Sequence, residues 1–60
     1  MGEKLRAARK AAGMTQAELA EKVGQQQRDI SRWENGLVEP GVLIVKAMAQ
    51  ALGCKMEDLV

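Results

Sequence analysis

The stretch that decides the fold runs from Thr15 to Gly36 and reads TQAELAEKVGQQQRDISRWENG. Thr15 is a favourable residue at which to begin a helix, and Glu18 three residues later completes the pattern of a capping box. Gly24 tolerates the positive φ that a tight turn requires, and the pair Asn35-Gly36 stops the second apolar segment. The stretch therefore predicts two short helices joined by a tight turn, at 15–23 and 27–34.

Residue sizes within this stretch predict how the two helices pack. Ala20 is small and lies in the middle of the first helix, where the second helix must approach closely. Ile30 is β-branched and lies ten residues after Ala20, and Trp33 is large enough to close the pocket one turn later. Together with the glycine turn, this set predicts a helix-turn-helix in which one helix braces the other.

The rest of the chain divides at Gly13, Gly24, Gly36 and Gly53 into five segments, each short enough for one helix. No segment alternates apolar and polar residues as a strand would. We therefore predict an all-α domain of five helices, the remaining three at about 2–12, at 41–52 and from 55 onward. The residues expected to face the core are Leu5, Ala8, Ala12, Met14, Leu19, Ala20, Val23, Ile30, Trp33, Val42, Val45, Met48, Ala49, Leu52, Met56, Leu59 and Val60.

Composition argues against catalytic chemistry. Sixty residues suffice for one small domain, which we assign to 1–60. The chain has no His and one Cys, so it lacks the usual general base, the usual zinc ligands and an internal disulfide. We expect neither an enzyme nor a bound metal or other cofactor. No apolar run approaches the roughly 20 residues of a membrane span, and the N-terminus lacks a signal-peptide pattern, so we expect a cytoplasmic protein with no membrane partner.

Charge is unevenly distributed along the chain. The net charge is +1, too small by itself to indicate a nucleic-acid partner. Residues 1–33 carry seven Lys or Arg against four Asp or Glu, whereas residues 34–60 carry two against four. The positive half is therefore the half that contains the two-helix element.

The stretch Thr15–Gly36 resembles the helix-turn-helix of the Cro and repressor proteins of lambdoid phages and their bacterial relatives, the lambda repressor-like or XRE family. The segment TQAELAEKVG carries the likeness most clearly, and ALG at 51–53 extends it over nearly the whole chain. The resemblance implies a compact five-helix domain with its helix-turn-helix at about 15–34, whose third helix lies in the major groove of double-stranded operator DNA. It further implies a sequence-specific transcriptional repressor, acting as a homodimer on an inverted repeat and associated with a bacterial or phage nucleoid.

Individual roles follow from the same resemblance. Bases are expected to be read by Gln27, Arg28 and Arg32, with Asp29 a further candidate, and the chemistry agrees because Gln pairs with adenine, Arg with guanine and Asp with cytosine. Phosphate contacts are expected from Lys10, Gln16, Gln26 and Asn35. Arg9 and Glu34 match a structural ion pair that joins the first and third helices. The chain departs from the family at three positions. Gln26 replaces the Ser or Thr that usually caps the third helix, Asp29 replaces a small hydroxyl residue, and Lys55 replaces the usual cap of the last helix.

Simpler interpretations stand beside these. The base-reading residues also fit an ordinary solvated helix face, and Lys4, Arg6 and Lys10 fit a solubilising role. Cys54 fits a small, half-buried core residue.

The fourth segment, VLIVKAMAQAL, is apolar almost all round, and the family commonly has polar residues where this chain has Leu43 and Ile44. These two residues are either a dimer contact or tolerated surface aliphatics. An apolar fourth helix also fits an antitoxin that binds a toxin protein as well as its operator. A protein-interaction module that has lost DNA binding is the remaining alternative.

Overall fold

A computed structural model describes all 60 residues and contains four α-helices and one 3₁₀ turn. The helices are α1 (Gly2–Ala11), α2 (Gln16–Lys22), α3 (Gln27–Glu34) and α4 (Val42–Leu52), and the 3₁₀ turn is Met56–Asp58. The all-α class and the first four helices are as predicted. No helix of the chain combines the length and the apolar character needed to cross a membrane.

The predicted fifth helix is wrong. Asp58 N donates to Lys55 O and Leu59 N donates to Met56 O, both at 3.0 Å, which is the i to i+3 pattern of a 3₁₀ turn. Lys55 N also donates to the Asp58 carboxylate at 3.0 Å and closes the start of the turn. The segment is too short for an α-helix, because an α-helix must fix the backbone of several residues to form its first hydrogen bond. A single 3₁₀ turn forms instead.

The start of α2 is fixed by the capping box that the sequence predicts. Glu18 N donates to Thr15 Oγ1 at 3.1 Å, and Thr15 N donates to Glu18 Oε1 at 2.9 Å. The hydrogen bond from the Thr15 backbone, followed by interaction with its side chain, lowers the pKa of the Glu18 carboxyl. After α2, Gly24 adopts φ +68°, which turns the chain toward α3.

The core consists of nine buried apolar residues, eight from the four helices and Leu59 from the position directly after the 3₁₀ turn. Trp33 is 8% exposed and Leu5, Leu19 and Ile30 are fully buried, as the sequence predicted. The remaining members are Ala20, Val45, Met48, Ala49 and Leu59. Ala20 lies where α2 and α3 cross, so its small side chain permits the close approach that the helix-turn-helix requires.

Three residues predicted to face the core are instead exposed. Ala12 follows the last residue of α1, Val42 is the first residue of α4 and is 69% exposed, and Val60 lies beyond the 3₁₀ turn and is 58% exposed. All three lie at the end of an element, where the helical stripe runs past the edge of the core. Ile44, which we expected to face outward, is half-buried and packs against the core.

Candidate nucleic-acid interface

The third helix presents three polar side chains to solvent, while the polar side chain of Glu34 is buried with the apolar ones. Gln27, Arg28 and Arg32 are exposed, whereas Ile30 and Trp33 on the other face are buried. Arg28 and Arg32 are four residues apart, so they project from the same side of the helix. Neither arginine takes part in the two ion pairs of the chain. The face therefore offers unpaired guanidinium groups and an amide, which are the groups that recognise guanine and adenine edges.

The N-terminus of α3 is capped from within the helix. Gln26 occupies the cap position with extended backbone, and its side chain is exposed. Gln26 N donates to Asp29 Oδ2 at 3.4 Å. A carboxylate in the first turn also interacts favourably with the helix dipole. Asp29 thus stabilises the start of the helix without a Ser or Thr cap, while its reading of cytosine stays a prediction.

A buried ion pair joins α1 to α3. Arg9 Nε donates to Glu34 Oε2 at 2.6 Å, and Arg9 Nη2 donates to Glu34 Oε1 at 3.1 Å. The side chain of Glu34 is fully buried and that of Arg9 is 10% exposed. Arg9 Nη1 also donates to the Met14 carbonyl at 2.8 Å, which fixes the loop before α2. This two-pronged arrangement is the pair that the resemblance led us to expect.

Two further side chains reach the same carboxylate. Arg6 Nε and Gln16 Nε2 donate to Glu34 Oε1 at 3.2 and 3.1 Å. Burial opposes ionisation of Glu34, but the hydrogen bonds from Arg9, Gln16 and Arg6 outweigh it and lower the pKa of the carboxyl. The bond to Glu34 correspondingly raises the pKa of Arg9 against the effect of its own burial. A charged Glu34 therefore connects α1, α2 and α3.

Asn35, at the C-terminal end of α3, is tied to this group through Arg6. Arg6 Nη2 donates to Asn35 Oδ1 at 2.8 Å, and Asn35 Nδ2 donates to Ser31 Oγ at 3.3 Å. We name Arg6, Arg9, Gln16, Glu34 and Asn35 the Glu34 cluster. It brings together two of the four predicted phosphate contacts, Gln16 and Asn35.

The other two predicted phosphate contacts, Lys10 and Gln26, are exposed and lie outside the Glu34 cluster. The solubilising role predicted for Arg6 is wrong, since this side chain joins α1 to α3. The available signal was its spacing of three from Arg9, which places both arginines on one side of α1. The Lys4 side chain also contacts another part of the chain, because its Nζ donates to the Val60 carbonyl at 2.7 Å.

A second surface is apolar. Val42 and Leu43 at the start of α4 are 69% and 78% exposed, and Leu37 in the preceding loop is 73% exposed. Beside them lies an open cleft of about 430 Å³, lined by Met1, Glu39, Pro40, Val42, Val45, Met56 and Val60. The outward aliphatic pair of α4 is therefore Val42 and Leu43, and not Leu43 and Ile44 as predicted.

The chain matches known helix-turn-helix proteins over almost its whole length. Residues 5–59 match the helix-turn-helix family. A protein of Methanothermobacter thermautotrophicus, named as an uncharacterized HTH-type transcriptional regulator, is 41% identical over 56 residues. This match covers 92% of the chain and 81% of the relative.

Solved structures show the same architecture. The P22 c2 repressor in complex with a synthetic operator superposes with a TM-score of 0.91 at 37% identity, over 98% of this chain and 89% of the repressor chain. The solution structure of the P22 c2 DNA-binding domain gives a TM-score of 0.91 at 38% identity, over 97% and 76% of the two chains. The restriction-modification controller protein C.AhdI from Aeromonas hydrophila gives 0.92 at 27% identity, over 98% and 89%.

Proposed function

This chain belongs to the helix-turn-helix family, and on that premise we propose that it is a transcriptional regulator that binds double-stranded DNA sequence-specifically, as a repressor. The observation that carries the proposal is the exposed face of α3, where Gln27, Arg28 and Arg32 project from a helix whose other face is buried. A P22 repressor bound to operator DNA has the same fold, which supports the assignment.

The dimensions suit the major groove. An α-helix with its side chains is about 10–12 Å across, and the groove is about 12 Å wide. With α3 in the groove, Arg28 and Arg32 reach guanine edges and Gln27 reaches an adenine edge. Asp29 lies one residue further and remains a candidate for cytosine, although its carboxylate also caps the helix.

Phosphate contacts beside α3 would hold the helix in register, because such contacts fix position without carrying sequence information. Gln16 begins α2 and Asn35 follows α3, and hydrogen bonds to Glu34 and Arg6 hold both amides at the C-terminal end of the reading helix. Lys10 and Gln26 are exposed and provide two further candidate contacts.

A homodimer on an inverted repeat is the arrangement we propose. Half-sites one helical turn apart are separated by about 34 Å. The Cα atoms of one molecule extend 22 × 20 × 19 Å, so two copies fit side by side at that spacing. The exposed pair Val42 and Leu43 is the proposed dimer contact, with the half-buried Ile44 behind it.

The same apolar pair favours one second candidate function, that of an antitoxin. A toxin protein with an apolar binding surface would then cover Val42 and Leu43 in place of a second copy. Recovery of one small protein with the chain from its native host, in a fixed ratio and lost in Leu43→Glu, would favour the antitoxin.

Binding of labelled duplex DNA tests the proposed function. We expect affinity to fall with salt, with each phosphate neutralised by a Lys or Arg side chain adding about −0.9 to the slope of log K against log salt concentration. Arg28→Ala should cost about 1–3 kcal/mol at one base position and relax the preference there. Lys46→Ala removes an exposed cation from α4 and serves as the control.

Two results would count against this account. Equal loss of affinity for every sequence in Arg28→Ala would make Arg28 a phosphate contact. No binding to any duplex at low salt would leave the protein-interaction module as the better interpretation.

A further inference from the structure

Two side chains proposed to contact phosphate, Gln16 and Asn35, belong to one hydrogen-bonded group at the C-terminal end of α3. Gln16 is joined to Glu34, and Asn35 is joined to Arg6, which in turn is joined to Glu34. The side chain of Arg6 is 40% exposed, so it lies at the edge of the cluster beside Asn35. Its position raises the question of whether Arg6 touches phosphate itself or acts on a neighbour.

We propose that Arg6 is a positioning residue for DNA binding, which acts by orienting the amide of Asn35 toward phosphate. This inference rests on the proposed function and deepens it. Arg6 holds Asn35 in the orientation that a phosphate needs, and it does not itself neutralise a phosphate.

The chemistry of the amide carries the first step. A side-chain amide has an oxygen that accepts and a nitrogen that donates two hydrogens, whereas a guanidinium only donates and a phosphate only accepts. Arg6 Nη2 donates to Asn35 Oδ1 at 2.8 Å, so the oxygen is held toward α1. One hydrogen of Nδ2 goes to Ser31 Oγ at 3.3 Å. The second hydrogen of Nδ2 remains for a phosphate oxygen.

The same logic applies to Gln16, which lies at the same end of α3. The carboxylate of Glu34 can only accept, so its bond to Gln16 Nε2 at 3.1 Å fixes which end of that amide faces the cluster. Gln16 keeps one further N–H for a phosphate. Both amides are therefore set as donors by the charges between α1 and α3.

The geometry requires an arginine at position 6. Nε donates to Glu34 at 3.2 Å while Nη2 donates to Asn35 at 2.8 Å, and this fork of two donors on one plane is available to Arg but not to Lys. The charge of Arg6 is already directed at Glu34. A lysine at this position keeps the charge but contacts one partner at a time.

The separation of α1 and α3 at this point is fixed by backbone contact. Gly2 lies so close to the end of α3 that an added Cβ would overlap the Glu34 carbonyl oxygen. Arg6, one turn further along α1, is thereby kept within reach of Asn35.

A double-mutant cycle tests the proposal. Wild type, Arg6→Met, Asn35→Ala and the double variant are titrated against a random-sequence duplex pool and against the tightest duplex selected from it, with Lys46→Met as the control. Loss of the charge-assisted bond should weaken binding about 3- to 10-fold in Arg6→Met. The loss should be the same for both DNAs, and the double variant should bind like Asn35→Ala alone. The slope of log K against log salt should not change in Arg6→Met.

Arg6→Lys provides the second readout and covers the case in which Arg6→Met does not fold. If Arg6 acts through its fork, Arg6→Lys should bind as weakly as Arg6→Met, and the side-chain amide signals of Asn35 should shift in the NMR spectrum of the free protein. Three results would instead make Arg6 a direct phosphate contact. They are wild-type affinity in Arg6→Lys, additive losses in the double-mutant cycle, or a slope of log K against log salt in Arg6→Met that is smaller in magnitude by about 0.9. Unchanged affinity in Arg6→Met would also overturn the proposal. Failure of wild type to bind either DNA identifies failure of the proposed function itself, and the role of Arg6 falls with it.

Discussion

Glu34 is a carboxylate with a fully buried side chain in a domain of 60 residues. Removing such a charge from water is expensive, and it persists only when good hydrogen bonds compensate. Arg9 approaches both carboxylate oxygens, and Arg6 and Gln16 share one of them. The residue is therefore charged in the folded protein, and its ionisation is coupled to folding.

Stability should therefore fall in acid. The pKa of Glu34 is lowered in the folded state relative to about 4.3 in the unfolded chain. The unfolded state then binds more protons below about 4.3, so this contribution is complete at neutral pH and is lost as pH falls through the lower folded pKa. Urea unfolding of wild type between pH 7 and pH 2.5 measures the loss.

Glu34→Gln should flatten this acid dependence and cost about 3–5 kcal/mol at pH 7, because Arg9 is left without its partner. A domain of this size has only about 3–5 kcal/mol of stability, so the comparison is made in a stabilising osmolyte. Glu18→Gln is the comparison, since Glu18 also has a lowered pKa but is exposed and contacts no arginine. Acid dependence as steep in Glu34→Gln as in wild type would contradict this role of Glu34.

Among the residues around Glu34, the sequence predicted the contact at positions that match the family and missed the contact made by Arg6. The Arg9–Glu34 pair followed from matched positions. Arg6 did not, because Lys4, Arg6 and Lys10 are equivalent cations in the sequence. Only the packing of α1 on α3 distinguishes Arg6, by placing it between Glu34 and Asn35.

The elements of the fold depend on a few backbone positions. Gly24 adopts φ +68° between α2 and α3, and an added Cβ would meet nothing within 4 Å. Gly24→Ala should therefore destabilise by about 1–2 kcal/mol through backbone strain alone. Thermal or urea unfolding measures the effect.

Gly41→Ala is the matched control for the turn. Gly41 has φ −67° and equally open surroundings, so alanine meets no backbone strain there; since Gly41 is the N-cap of α4, where Gly is preferred over Ala, the substitution should cost less than about 1 kcal/mol and less than Gly24→Ala. Equal effects of the two substitutions would contradict the conformational explanation.

Gly2→Ala tests the contact between α1 and α3. Alanine normally favours a helix over glycine by up to about 1 kcal/mol. At Gly2 the new Cβ would overlap the backbone carbonyl of Glu34, so we expect destabilisation instead. A higher melting temperature in Gly2→Ala would show that the two helices are not in close contact there.

Helix positions were well predicted where apolar spacing, caps and glycines agree, as in α2 and α3. The prediction failed at the ends of elements. The apolar pattern after Lys55 is the same for one 3₁₀ turn as for the start of a helix, and the stripe of α4 does not reveal that Val42 lies past the edge of the core. Both outcomes depend on contacts distant in the chain.

For the molecule as a whole, we propose that the exposed apolar surface at Val42 and Leu43 forms the dimer contact. In a two-fold dimer each substitution is present in both subunits and changes the interface at two places. Burial of one leucine side chain contributes about 1.5–3 kcal/mol to the free energy of association. Leu43→Glu should therefore weaken self-association at least about tenfold, both free and on DNA.

Sedimentation equilibrium, with and without an inverted-repeat duplex, measures this effect. Gln50→Glu adds the same charge at an exposed position of the same helix and is the control. An association constant in Leu43→Glu equal to that of the control would remove this surface from the dimer.

We propose above all that α3 reads base sequence in double-stranded DNA. Selection of bound duplexes from a random library at low salt tests it most directly. We expect an inverted-repeat consensus with half-sites about ten base pairs apart, in which at least one guanine position becomes degenerate when the selection is repeated with Arg28→Ala. Recovery of no enriched sequence by the wild-type chain would contradict the claim.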